Sequence, residues 1–308
     1  MSDPSPRVSV IVNCYNGERY LREALDSLFA QRMADFEVIF WDNASTDGSA
    51  EIAKRDDPRL RYFRAPATTT LGEGRNRALA EARGEFLAFL DTDDRWYPDT
   101  LDTLLGAMSD GAAAVYAGIR RIDSMGKPLG TFSPAPGTGM RLESLLRQFD
   151  IWMPALLVRR RALIDAGLTF DPAVTASEEY CLFIQLAAEA PIHAIADVVA
   201  DYRIHGGALT NRSIDKWADE RFYALDRLLS RHPEVRETHA GALREATARG
   251  HYYRARHFMA MRQPVDARRE LKRAQGAGWS YLALYLLALL PVTAWNTVHT
   301  WKTRRAIA

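Results

Sequence analysis

The tetrapeptide Asp91-Thr92-Asp93-Asp94 carries the densest chemistry in the chain. It directly follows the apolar run Phe86–Leu90, so three carboxylates stand at the mouth of a buried strand. A hard divalent cation held by one or two carboxylates keeps its other coordination positions for water or for the oxygens of a substrate diphosphate. The arrangement therefore points to a metal that bridges protein and phosphate, with a solvated acidic turn as the plain alternative, since Asp also favours turns and helix starts. Asn13, Tyr15 and Asp42 stand at the ends of two other apolar runs, and the pair Glu178-Glu179 opens a helical pattern.

The elements that must position these residues alternate. Val8–Val12 and Phe36–Trp41 read as strands, Leu60–Phe63 as a third and Phe86–Leu90 as a fourth. Between them, Tyr20, Leu21, Ala24, Leu25, Leu28 and Phe29 fall on one helical face, Ser45–Ser49 supplies capping groups for a second helix, and Arg75–Ala82 reads as a third. Such βαβ alternation implies a parallel sheet with helices on both faces, whose ligand crevice lies beyond the carboxyl ends of the strands where strand order reverses. Trp96-Tyr97-Pro98 is expected to open a helix. Farther on, Ala114–Ile119 and Leu129–Phe132 flank a hairpin turn, Ala155–Val158 is a strand, Glu178–Ala188 is a helix, and the chain is helical from Asp215. The expected divisions are 1–211, 212–278 and 279–308.

Composition narrows the function. A formal net charge of +1 over 308 residues, with no basic run interleaved with aromatics, gives no footprint for nucleic acid. Cys14 and Cys181 lack the spacing of a zinc site or redox pair, and Met1–Pro6 lacks a secretory signal, so a cytoplasmic location is expected. Trp279–Trp295 is free of Asp, Glu, Lys and Arg, has aromatics at both ends and precedes Lys302, Arg304 and Arg305. Pro291 interrupts it, and a full span needs about 20 apolar residues, so a segment lying in one leaflet is expected, with a buried terminal helix or dimer contact as alternatives. No Gly-x-Gly-x-x-Gly follows Val8–Val12, which argues against a nicotinamide-dependent oxidoreductase.

Taken in order, Val8–Val12 with Tyr15-Asn16, Asp42–Ser49, Gly74-Arg75-Asn76, Asp91–Asp94 and Ser177–Tyr180 resemble a family 2 glycosyltransferase of the GT-A fold over residues 8–211. The resemblance implies a Rossmann-like α/β fold with a mixed sheet, and a helical C-terminal extension follows it. It implies inverting sugar transfer from a nucleoside diphosphate donor, with UDP favoured. The acceptor would be a hydroxyl of a saccharide or lipid-linked saccharide used in a surface polysaccharide. With the apolar C-terminal segment, this places the chain on the cytoplasmic face of the inner membrane, in peripheral contact through 279–305, and a homodimer is possible. A non-catalytic nucleotide-sugar scaffold is the alternative.

The resemblance also implies roles. Asn13 and Tyr15 would contact the nucleotide base, Asp42 would accept from its imide N–H, and Arg75 would lie near the nucleotide. Asp91 would face ribose or metal and Asp93 would bind Mn²⁺ or Mg²⁺, while Asp94 orders the loop. His205 would complete the metal site, and Trp152 and Met153 would line the acceptor pocket. Glu179, where the family commonly has Asp, would be the general base, with Glu178 as the alternative.

Overall fold

The structure, a computed structural model, describes residues 5–206 and 214–298. They pack as two units. One comprises the described residues of 1–141, 150–175 and 189–205, and the other those of 142–149, 176–188 and 206–308. The expected boundary near Asn211 and the basic residues Lys302, Arg304 and Arg305 lie outside the described residues.

The first unit is built on one nine-stranded mixed sheet. Strand β1 (Val8–Cys14) pairs in parallel with β2 (Phe36–Asp42) and with β4 (Phe86–Phe89), and β2 pairs in parallel with β3 (Leu60–Arg64). β1 and β4 are buried along most of their length, which explains their near-continuous apolar sequences. β8 (Leu156–Arg159) continues the sheet antiparallel to β4. β6 (Ala114–Ile122) then runs antiparallel to both β8 and β7 (Pro128–Phe132), forming the expected hairpin with β7.

Two strands were not legible in the sequence. β9 (Ile192–Arg203) pairs in parallel with β6, and β5 (Arg95–Trp96) pairs antiparallel with β9, giving the order β3-β2-β1-β4-β8-β6-β9-β5. Trp96-Tyr97-Pro98 thus does not open a helix. The proline biases Tyr97 toward extended backbone, and helix formation waits until Thr100, the first residue of Thr100–Ala107.

Helix α1 (Glu18–Phe29) buries Leu21, Ala24, Leu25 and Leu28, the i, i+3, i+4, i+7 stripe of an amphipathic helix. After α2 (Ser49–Ala53), α3 (Leu71–Glu81) begins four residues before the expected start. The Thr70 hydroxyl accepts from the Glu73 N–H at 3.2 Å and caps an end whose two early glycines hide the helical signal.

The second unit is helical throughout its described elements. Counting Thr100–Ala107 as α4, Leu142–Arg147 as α5 and Arg160–Asp165 as α6, it holds α5, α7 (Glu178–Glu189) and α8 (Trp217–Arg231). α9 (Val235–Thr238), α10 (Ala240–Ala260), α11 (Pro264–Ala274) and α12 (Trp279–Leu287) follow. Ala255, Met259, Ala267, Leu271, Ala288 and Trp295 form its C-terminal core, so one face of the apolar tail packs on protein. Among the described residues, no helix is long and apolar enough to cross a membrane.

Candidate active site

The parallel strands β2, β1 and β4 end side by side where strand order reverses, and their ends deliver Asp42, Asn13 and Asp91 to one edge. Because side chains alternate along a strand, the register partners Cys14 and Asp42 share one face, and Asn13 and Trp41 share the other.

Asp42 is fully buried. Its Oδ1 accepts from the Ser45 N–H at 2.7 Å, and its Oδ2 accepts from the Tyr62 hydroxyl at 2.6 Å and from Arg64 Nη1 at 2.5 Å. Burial pushes the carboxyl up, but the Tyr62 and Ser45 hydrogen bonds and the Arg64 charge outweigh it and hold the group below the usual carboxylate range. The loops after β1 and β2 are tied together: Asn16 Oδ1 accepts from the Thr46 N–H at 2.8 Å, while the Asn16 N–H donates to Ser45 Oγ at 3.0 Å. Beside this clasp Tyr15 presents an exposed ring. Asn13 is enclosed, and neither polar atom of its side chain has a hydrogen-bond partner. A Cβ on Gly74 of α3 would stand 2.7 Å from Asn13 Nδ2, so the glycine makes room for the amide.

The turn after β4 closes with the Asp94 N–H donating to the Asp91 carbonyl at 3.1 Å. Arg75, almost wholly buried beneath the turn, reaches Asp91 Oδ1 from Nη2 at 3.3 Å and lies over the Phe170 ring. Asn76 holds that segment by exchanging two hydrogen bonds with the Phe170 backbone, at 2.7 and 2.9 Å. Asp94 points inward, and its Oδ1 accepts from the Arg203 N–H at 2.8 Å. Burial, and then the charges of Asp93 and Asp91, raise its carboxyl well above the usual range.

Asp93 remains accessible, with Oδ2 at 2.8 Å from His205 Nε2. Arg203 supports this pair. Its Nε donates to the Asp93 carbonyl at 2.8 Å, its Nη2 donates to Glu23 at 2.6 Å, and its guanidinium lies over the Tyr20 ring. Tyr20 in turn packs on the His205 imidazole at a centroid distance of 5.3 Å. A carboxylate and an imidazole in contact are a fitting donor pair for Mn²⁺ or Mg²⁺ whose other ligands come from a diphosphate. Asp91, expected near them, is engaged by Arg75 instead. Among the described residues, no group of three or more His, Cys, Asp or Glu is gathered to hold a metal by itself.

The contacts of Arg203, and the cluster of Arg95, Arg120 and Tyr97 around Asp201, have no signature in the sequence. Trp152 packs on Tyr202 and Phe132, with its indole N–H enclosed and without a hydrogen-bond partner. Met153 is buried. Glu178 and Glu179 occupy the first turn of α7 in the second unit, Glu178 buried and Glu179 partly exposed. The helix dipole favours carboxylates there.

The sequence profile described as Glycosyl transferase family 2 matches residues 9–166 of the 308. The chain belongs to glycosyl transferase family 2. The match in this glycosyltransferase encloses Asn13, Tyr15, Asp42, Arg75, Asp91 and Asp93, and stops short of Glu178, Glu179 and His205. Among its relatives, the putative teichuronic acid biosynthesis glycosyltransferase TuaG of Bacillus subtilis is 26% identical over 222 residues, covering 70% of this chain and 85% of that one. An uncharacterized glycosyltransferase of Rickettsia typhi is 25% identical over 224 residues, covering 69% and 68%. In a Rickettsia felis relative, 28% identical, the matched region is only 35% of the protein.

Two solved structures show the fold. Staphylococcus aureus TarS 1–349 in complex with UDP aligns with a TM-score of 0.65 at 22% identity, over 96% of this chain and 91% of that one. The mannosyltransferase PcManGT of Pyrobaculum calidifontis, in complex with GDP-Man and Mn²⁺, aligns with a TM-score of 0.60 at 20% identity, over 98% and 86%. The glycosyltransferase thus has the GT-A fold, a mixed curled sheet followed by a helical C-terminal region.

Proposed function

We propose that this glycosyltransferase moves a sugar, with inversion, from a nucleoside diphosphate donor to a hydroxyl of a saccharide or lipid-linked saccharide during synthesis of a surface polysaccharide. The observation that carries the reading is the pairing, at 2.8 Å, of Asp93 on the turn after β4 with His205 just beyond β9. UDP is favoured by the binding of UDP and UDP-GlcNAc in the TarS structures, although PcManGT takes GDP-Man. The polysaccharide assignment draws on the teichuronic acid role given to TuaG. Peripheral membrane contact through the segment from Trp279 suits a lipid-carried acceptor.

In this reading the Tyr15 ring stacks on the base and the Asn13 amide meets its edge. Asp42, buried and already bonded to Ser45, Tyr62 and Arg64, would accept from the base imide N–H by exchanging one of these partners. Arg75 fixes Asp91 toward the ribose. Asp93 and His205 would hold Mn²⁺ or Mg²⁺, and a bound cation would offset the negative charge that develops on the departing diphosphate. Glu179 accepts the proton of the acceptor hydroxyl as its oxygen bonds to the anomeric carbon. The electron pair of the broken sugar–phosphate bond leaves on the nucleoside diphosphate.

Calorimetry tests the donor site: UDP, dTDP and GDP are titrated with and without Mn²⁺ into wild type and Asp93→Asn. Metal-dependent UDP binding, lost in the variant, is the expected result. Equal binding by both proteins overturns the site. Glu179→Gln should keep UDP binding and lose sugar transfer, whereas the same pattern in Glu178→Gln alone would move the base to Glu178.

A further inference from the structure

We propose that the second unit docks on an anionic lipid surface, the outer face of α12 entering the bilayer interface and a lipid phosphate seated among Arg236, Arg244 and Arg273. This rests on the membrane contact in the proposed function and gives it residues and chemistry. Trp279, Leu282 and Leu286 form an i, i+3, i+7 stripe on α12, and Leu289 and Leu290 stand exposed in the turn that follows it, each of the five between 44% and 81% exposed. The opposite side of the segment, through Leu284, Leu287, Ala288 and Trp295, is committed to the core of α10 and α11. The outer stripe is therefore a second apolar face, and its nine-residue helix followed by Pro291 suits lying in an interface.

Charge selects the partner. Residues 256–308 contain nine Lys or Arg and two Asp or Glu, a net +7, which leaves −6 for residues 1–255 of a chain whose total is +1. Such an excess of cations in the stretch of sequence that carries the apolar segment suits the negative potential of an anionic leaflet. A cavity of about 400 Å³ in the same unit is lined by Arg236, Arg244 and Arg273 with no acidic residue, and Leu243 lies among its apolar walls. Arg236 and Arg244 are exposed, and Arg273 pairs with Glu270 at 2.6 Å. Gly276 and Ala277 line the cavity and are separated from α12 only by its N-cap Gly278, so phosphate and acyl chemistry lie close along the chain. Guanidinium groups converging on a cavity suit a phosphate headgroup.

The test is co-sedimentation of the full chain with vesicles of phosphatidylcholine, with and without phosphatidylglycerol, for wild type, Leu286→Glu/Leu289→Glu and Arg236→Gln/Arg244→Gln. Wild type should pellet with the anionic vesicles and be released by salt, and each double variant should partition about tenfold less or weaker still. Wild-type binding indifferent to phosphatidylglycerol, or variants that pellet like wild type, overturns the proposal. So does displacement by millimolar inorganic phosphate alone, which would make the cavity a site for free phosphate. Self-association abolished by the leucine variant, without any pelleting, would give the stripe to a second copy of the chain. UDP binding and circular dichroism on the same variants keep misfolding, or failure of the donor site, distinct from failure of the lipid contact.

Discussion

Arg95 and Asp201 are register partners across β5 and β9, and the Arg95 guanidinium returns two hydrogen bonds to Asp201 Oδ2, from Nε at 3.1 Å and Nη2 at 2.5 Å. Arg120 Nε and the Tyr97 hydroxyl complete the shell by donating to Oδ1 at 2.7 and 3.1 Å. The strand that leaves the carboxylate turn is thus fastened by a buried, fully bonded charge. Asp201→Ala removes the shared partner of two arginines, of which Arg95 keeps Glu23 at 2.5 Å, and should lower unfolding stability by about 1–3 kcal/mol, with Asp201→Asn costing less because it keeps an acceptor. Urea denaturation decides, and an unchanged midpoint in the alanine variant would deny the cluster this role.

The same group shapes the acid limb of stability. Burial opposes ionisation of Asp201, but the hydrogen bonds of Arg120 and Arg95 prevail and lower its pKa, as happens at Asp42. A carboxyl with a depressed native pKa binds fewer protons folded than unfolded. Its contribution is present above the unfolded value of about 3.9 and is lost as pH falls through that value toward the native one. Urea midpoints measured from neutral pH down to acid should fall less steeply below that point in Asp201→Asn than in wild type. Parallel curves would place the acid sensitivity elsewhere.

Arg203→Lys retains the charge and removes the fork. Lysine cannot reach Glu23, the Asp93 carbonyl and the Asp123 carbonyl together as the guanidinium does. The variant should fold, lose about 1–2 kcal/mol of stability, and show Mn²⁺-dependent UDP affinity weakened about tenfold as the Asp93 turn loosens. Calorimetry with wild-type affinity would separate Arg203 from the donor site.

Gly84 sits between α3 and β4, where an added Cβ would stand 2.6 Å from the Ser9 nitrogen and 2.8 Å from the Val8 carbonyl carbon. Both are backbone atoms of the central strand, so neither can yield. Gly84→Ala should cost about 2–3 kcal/mol through overpacking. A thermal midpoint equal to wild type would show that the β1 backbone shifts freely.

The sequence announced the parallel half of the sheet because β1, β2 and β4 are predominantly apolar runs, broken only by Ser9 and Glu37, that stop at polar residues. It pointed to the carboxylate edge because Asp91, Asp93 and Asp94 cluster at one such stop. β9 was hidden: Ile192–Arg203 mixes His193, Asp197, Asp201 and Arg203 into its pattern, and their acceptability depends on partners such as Arg95 and Arg120 from distant strands. β5, two residues long, has no periodicity to read. Arg203 lies two residues before His205 in the sequence, yet only the folded chain brings its side chain to Glu23 and Asp93. The engagement of Asp42 by Tyr62 and Arg64 likewise depends on the pairing of β3 with β2.

The sheet order has a consequence for how the protein comes into being. Only Leu90–Asp94 join β4 to β5, although β8, β6 and β9 stand between them. Four strand spacings of about 4.8 Å would demand an almost straight connection, and the closed Asp91–Asp94 turn is not straight, so the sheet curls to meet itself there. The atoms that hold this seam, the Arg203 N–H and His205 Nε2, are synthesised more than a hundred residues after the carboxylates they meet. A nascent chain therefore displays its aspartates on the ribosome well before it can organise them, and a product stopped short of Arg203 carries the acidic motif without the clasp that gives it shape. Closure of this seam needs the last strand, a long-range loop whose entropy cost is met before its contacts form.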